Sequence, residues 1–327
     1  MAVKTILEAI RDGLKEEMER DERVFILGED VEEGGVFRAT EGLKQEFGSE
    51  RVMDTPLAES SIVGVAIGAS LNGLLPVAEI QFADFILPAM NQIISEAAKL
   101  RYRSAGDWTC PIVIRAPYGG GGAGGLYHSQ SMEALFYHVP GLKVVAPATP
   151  HDMKGMIISA IRDPDPVIYF EHKRTYRMIK GEVPEKEYTV PIGKAEVRRR
   201  GDDLTVFSYG LTMHLALQAA ETLAKDEGIE ATVVDLRTLL PLDRETIVEE
   251  AKKTGKILVA HEDNITGGVG AEVAALISEH AFEYLDGPIM RVGGPDVPAV
   301  PYHPKLEDWY MLNPQKLAEA MRKLAAY

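Results

Sequence analysis

Apolar residues at Ile6, Ile10, Leu14 and Met18 recur at helical spacing behind Thr5, which can cap a helix start, so the chain should open with an amphipathic helix. Val24-Phe25-Ile26-Leu27 is a short apolar run ending at Gly28-Glu29-Asp30, the pattern of a strand with two acids just past its C-terminal end. After the Gly34-Gly35 break, a short helix is expected from Thr40 to Phe47. Pro56 then biases Thr55 away from helix, Ser60 and Ser61 offer a new helix start, and a charge-free run follows with Gly64 and Gly68 four apart. Glu59 is the one carboxylate in that stretch; on position alone it reads as an acid at a helix N-terminus.

The same alternation continues. Strands are expected at Pro76–Ile80, Pro111–Arg115, Leu142–Ala146 and Val167–Phe170, with helices to about Arg101 and from Pro150 to Ile161. Residues 173–197 are charged, Pro-bearing and aperiodic, as in an ordered linker. A second series follows, with strands near Leu204–Phe207, Ala231–Leu236, Lys256–Ala260 and Pro288–Val292 and a closing helix from about Pro314 to Ala326. Alternating strands and helices predict an α/β chain of two domains, each a mostly parallel sheet flanked by helices, with boundaries at 1–185 and 201–327 and a linker at 186–200.

Size and composition fit that division. The 327 residues suffice for two cores, and 46% hydrophobic with 26% charged is ordinary for a globular protein. A net charge of −15 argues against nucleic acid and anionic membranes as main partners. The single cysteine, Cys110, excludes an intrachain disulfide and any multi-cysteine metal site. The first residues mix acids into an amphipathic helix and do not resemble a secretory or transit signal, and the apolar run from Ile62 to Ala78 is too short and too broken to span a bilayer; a cytoplasmic protein is expected.

Candidate chemistry is sparse. Gly120-x-Gly122-x-x-Gly125 follows a strand and formally matches the dinucleotide fingerprint, but no helix opens at its third glycine and no acid follows at the required distance. A mobile loop presenting His128 is the alternative, set against an ordinary solvated histidine. There is no HExxH pair and no GxSxG elbow. Asp163 and Asp165, flanked by Pro164 and Pro166, are turn acids that could also face a hard cation.

Taken together, GEDV at 28–31, DTPLAES at 54–60, EIQFADFI at 79–86, YHSQS at 127–131, PGLKVVAPATP at 140–150, AIRDPDPVIYFEHKRTYR at 160–177 and VDLRTLLPLD at 234–243 are specific. Over essentially its whole length the chain resembles the β subunit of the thiamine-diphosphate-dependent decarboxylase component of 2-oxo acid dehydrogenase complexes. FADFI and LYHSQ look most like the branched-chain 2-oxo acid type, which acts in branched-chain amino acid degradation. The GDG signature with which thiamine-diphosphate enzymes hold the metal of the diphosphate is absent. The resemblance therefore implies an α subunit that holds the magnesium, a two-α two-β heterotetramer, and a site completed only at an interface.

It implies further a pyrimidine-binding domain followed by a transketolase C-terminal-like domain. Glu59 would hydrogen-bond the aminopyrimidine of thiamine diphosphate, with the apolar helix desolvating its carboxyl, and Leu57, Gln81 and Phe85 would line or support that ring, core packing being the other reading for Leu57 and Phe85. His128 would donate a proton during reductive acylation of a lipoyl group carried by the transacylase core. A structural potassium ion would take oxygens from Ile112, Ala160, Ile161, Asp163 and Asp165. The rival expectations are a pyruvate-specific β subunit and a non-catalytic scaffold subunit that only dimerises and docks a core.

Overall fold

The computed structural model describes residues 1–327, which divide into two compact units: residues 1–118 with 135–192, and residues 119–134 with 193–327. Each is an α/β layer structure.

The first unit opens with a strand β1 (Ala2–Thr5) that runs straight into the helix Ile6–Arg20. Thr5 caps this helix in a reciprocal box: the Glu8 amide donates to the Thr5 hydroxyl and the Glu8 carboxylate accepts from the Thr5 amide at 2.7 Å. Its apolar stripe, with Ile6, Ile10, Leu14 and Met18 fully buried, packs on the helix Pro150–Ile161. Gly13 permits the approach, since a Cβ there would lie 2.4 Å from Ile157.

The strands β2 (Val24–Gly28), β3 (Val52–Asp54), β4 (Leu75–Glu79), β5 (Val113–Tyr118), β6 (Lys143–Val145) and β7 (Val167–His172) run parallel in the order β6-β7-β5-β4-β2-β3. β8 (Lys180–Val183) returns to pair antiparallel with β1. The central strands β2, β5 and β7 are buried along their whole length, as expected of a sheet covered on both faces.

In the second unit β9 (Glu196–Arg199), β10 (Leu204–Ser208) and β11 (Ala231–Asp235) are followed by the short strand β12 (Thr238–Leu240), then β13 (Ile257–Asn264) and β14 (Met290–Gly294). Five of them form a sheet in the order β14-β13-β10-β11-β9, parallel except for β9 at one edge. Helices such as Gly210–Glu227 and Pro314–Ala325 cover it.

Three local expectations need correction. The helix after the Pro56 turn begins at Glu59 itself, with Ala58 rather than a serine at its cap, so the carboxylate stands in the first turn, at the positive end of the helix dipole. The run towards Arg101 is not one α-helix: 3₁₀ turns at Ala83–Ala89 and Ala97–Lys99 flank a π-helical stretch Asn91–Glu96, because Pro88 supplies no N–H to a regular ladder. The short helix before Gly48 starts at Leu43, not at Thr40, whose hydroxyl is spent on the Val31 carbonyl at 2.7 Å.

Candidate active site residues

In the first unit the parallel register of β3, β2 and β4 sets Asp54, Gly28 and Glu79 side by side, so the residues that follow each strand share one edge. Strand ends of a parallel sheet are where ligands enter this kind of fold. Glu29 and Asp30 follow β2, and Gln81 lies just beyond β4, its amide donating to the Asp30 carboxylate at 2.9 Å. Asp30 adopts a left-handed backbone (φ 57°), the turn that swings its side chain round to that contact.

Glu59 opens its helix half-buried, near Glu29. The desolvated member of this pair is Glu29, which is 4% exposed. Burial first, and then the charges of Glu59 and Asp30, push the Glu29 carboxyl up to about 7. One Glu29 oxygen and the Thr55 hydroxyl are buried without a partner in the chain, two polar groups whose hydrogen bonds are left to be made. Leu57 is 80% exposed, which disposes of the core-packing reading for that residue. Phe85 is half-buried and meets the edge of Phe82 at 5.9 Å between centroids. An acid pair, unsatisfied polar atoms and uncovered apolar side chains suit a flat heteroaromatic ring with a protonatable nitrogen.

Behind this edge lies a charge network. Arg115, on the strand between Glu79 and Glu171, donates to Glu79 at 2.5 Å and to both oxygens of Glu171 at 2.6 and 2.8 Å, and the Tyr176 hydroxyl adds a bond to Glu171 at 2.6 Å. The three side chains are essentially inaccessible, with two carboxyls sharing one guanidinium, and burial pushes the Glu79 carboxyl up against the lowering pull of Arg115.

Two of the carbonyls implied for potassium already accept backbone bonds. The Val167 amide donates to the Ile112 carbonyl, and the Asp163 amide to that of Ala160 close by Ile161. In-chain cations balance the acids: Lys143 reaches both oxygens of Asp163 at 2.5 and 2.6 Å, and Arg101 reaches Asp165 at 2.5 Å. The donors are all oxygen, the right type for an alkali ion, but the carboxylates are already engaged.

His128 belongs with the second unit. It lies exposed after a loop in which Gly119, Gly121, Ala123 and Gly125 all have positive φ, so that successive N–H groups turn to one side as an anion-binding nest. No phosphate is needed to fill it. Glu307 accepts from the Gly121 and Ala123 amides at 3.0 and 3.1 Å, and Glu262 accepts from the Gly120 amide at 2.6 Å. The dinucleotide match at Gly120–Gly125 thus has a structural cause: its amides serve two carboxylates of the same unit.

The far end of the loop rests on more acids. Asp263 accepts from the Ala134 amide at 3.2 Å, and Glu133, fully buried, accepts from the Tyr209 hydroxyl at 2.9 Å. Burial, followed by the charge of Asp263, holds the Glu133 carboxyl well above the ordinary range, and burial also raises Asp263 to about 6. Beside them His261 is buried with its Nε2 unpartnered, and burial lowers it to about 4. None of these residues carries a local sequence signal, since Glu262 and Glu307 lie far along the chain from the glycines that they bind.

Comparison with known proteins gives the geometry a family. Residues 3–178 match the transketolase pyrimidine-binding domain and residues 193–317 the transketolase C-terminal domain. Over the full length of both chains the sequence is 62% identical to the 2-oxoisovalerate dehydrogenase subunit beta of Bacillus subtilis (strain 168). The chain belongs to the family of 2-oxo acid dehydrogenase β subunits. To the pyruvate dehydrogenase E1 component subunit beta of the same organism it is 48% identical, again over the full length of both. Among solved structures a split-gene transketolase, described as an inactive beta4 tetramer, superposes with a TM-score of 0.79 at 27% identity and covers 98% of each chain. The family is that of an oxidoreductase component of the thiamine-diphosphate type, and the two-domain α/β architecture expected from the sequence is the one found. No helix is long and apolar enough to cross a membrane.

Proposed function

We propose that the chain is the β subunit of a branched-chain 2-oxo acid dehydrogenase decarboxylase component, which supplies one half of a thiamine diphosphate site. The other half, with the magnesium, belongs to an α subunit in a two-α two-β heterotetramer. The observation that carries this reading is the Glu29–Glu59 pair beside an uncovered Leu57 at the strand ends. When bound, thiamine diphosphate supplies the carbanion chemistry that lets a 2-oxo acid lose carbon dioxide.

The chain's own part is binding and proton placement. Glu59 hydrogen-bonds the pyrimidine ring nitrogen, and Glu29, protonated up to about pH 7, keeps the pair from carrying two charges. Leu57 and Phe85 give the ring an apolar contact, and Gln81, tied to Asp30, supports it. His128 would donate its proton to the sulfur that leaves as the lipoyl disulfide, presented by the transacylase core, takes up the acyl group on its other sulfur. A potassium ion bound by Ile112, Ala160, Ile161, Asp163 and Asp165 would compete with the Lys143 ammonium. The identity with the 2-oxoisovalerate enzyme, higher than with the pyruvate enzyme, favours a branched-chain substrate. The relative described as an inactive β-only tetramer supports a site that needs a second kind of subunit.

The test is reconstitution. Alone, the chain should not decarboxylate 3-methyl-2-oxobutanoate; with its α subunit, thiamine diphosphate and magnesium it should, with a higher kcat/KM than for pyruvate. Glu59→Gln in the assembled enzyme should cost at least ~100-fold, within the range expected for loss of a positioned proton. Full activity of the lone chain, or of the variant, would refute the split site or the choice of acid respectively.

A further inference from the structure

The loop that carries His128 is held from beneath by one short segment. Glu307, on the helix Pro304–Tyr310, is 8% exposed and gathers the Gly121 and Ala123 amides. On either side of it the same segment closes on the loop: a Cβ at Gly120 would lie 2.8 Å from the Met311 sulfur, and one at Gly125 would lie 3.1 Å from the Tyr302 ring. The held stretch is in turn packed against the histidine. A Cβ at Gly124 would lie 2.9 Å from both the Cβ and the carbonyl oxygen of His128 and 2.8 Å from the Ser129 hydroxyl. A short chain of contacts therefore runs from the Glu307 carboxylate through the Ala123 amide and the Gly124 backbone to His128. The glycine-rich sequence would not hold one conformation unaided, since each glycine adds backbone freedom. A buried carboxylate accepting two N–H groups in an anion nest supplies the constraint.

We propose that Glu307 is a positioning residue for acyl transfer: by binding the Gly121 and Ala123 amides it fixes the loop that presents His128 to the lipoyl arm. This rests on the role given to His128 above. Glu262, which holds Gly120 at 2.6 Å, secures the loop entrance in the same way.

The experiment uses the enzyme assembled with its α subunit and compares Glu307→Ala, Glu307→Gln and His128→Ala. Three readouts are taken: acyl transfer to a lipoylated domain, decarboxylation with an artificial electron acceptor, and amide hydrogen exchange at Gly121 and Ala123. Glu307→Ala should lower acyl transfer roughly tenfold more than decarboxylation, the range of a lost charge-assisted bond. It should also speed exchange at both amides. Glu307→Gln, which keeps one acceptor oxygen, should recover part of both effects. Equal loss in the two assays, or unchanged exchange, overturns the proposal. If His128→Ala leaves acyl transfer intact, the reading of His128 fails and the proposal with it; if His128→Ala is impaired and Glu307→Ala is not, only the role of Glu307 fails.

Discussion

The two units bury carboxylates by opposite means. In the first, Glu79 and Glu171 share one arginine, and every charge meets an opposite charge or a hydroxyl. In the second, Glu133, Glu262, Asp263 and Glu307 are buried against backbone amides, a tyrosine hydroxyl and one another's fields. The first arrangement is closed: the strands β4, β5 and β7 carry all three groups, and removing the arginine leaves both acids stranded. The second depends on a segment with little structure of its own, the glycine loop, and on protons. A cation-balanced network ties a sheet together, whereas an amide-balanced one makes a functional loop part of the balance.

The contrast can be broken most sharply at Arg115. Arg115→Met should destabilise the protein by about 3–5 kcal/mol, because Glu79 and Glu171 remain buried without a counter-charge. Replacing all three by apolar side chains of similar volume should recover most of that loss, and chemical denaturation would measure both. A loss below ~1 kcal/mol for the single variant would mean that the network is not closed.

A smaller effect probes the other region through pH. His261 stays neutral in the fold down to about 4, whereas in the unfolded chain it takes up a proton below its ordinary 6.5. Across that window the unfolded state binds more protons, so the stability it contributes is full above 6.5 and is lost as the pH falls towards 4, by about 3 kcal/mol. Denaturation curves from pH 7 to 4 should show this acid limb, flattened in His261→Gln. The raised carboxyls run the other way, favouring the fold at low pH and losing that advantage as pH rises. Glu133→Gln mimics the neutral acid and can still accept from Tyr209, so it should stay within about 1 kcal/mol of the parent near pH 5. With rising pH it should gain on the parent; a variant that loses stability instead would show that Glu133 is buried ionised.

How much of this could be read from the sequence follows from the range of each signal. β2, β4, β7, β10 and β11 were visible as compact apolar runs, and the first helix was visible from Thr5 and its four-residue period, because both signals are local. β1, β8 and β9 were not, since each is a short, partly exposed edge strand defined by its partner rather than by its own pattern. Glu59 stood out because it is alone in an uncharged stretch. Glu29 was visible only as an acid after a strand; its raised carboxyl depends on burial by residues distant in sequence. The acids beneath the glycine loop were invisible for the same reason. The glycines read as a mobile loop presenting His128, and nothing near them in the chain said that Glu307 would bind their amides.

The route of the chain also limits how the molecule can be divided. It leaves the first unit after Tyr118, spends residues 119–134 in the second, and returns at Leu135 until Ile192. One cut near residue 192 would yield two fragments, neither of them a unit. The N-terminal piece would carry off a glycine strap that belongs to the second unit. The C-terminal piece would keep Glu262 and Glu307 stripped of the amides that satisfy them. Any transplant or exchange of either half, in the laboratory or in a genome, has to take the strap with the second.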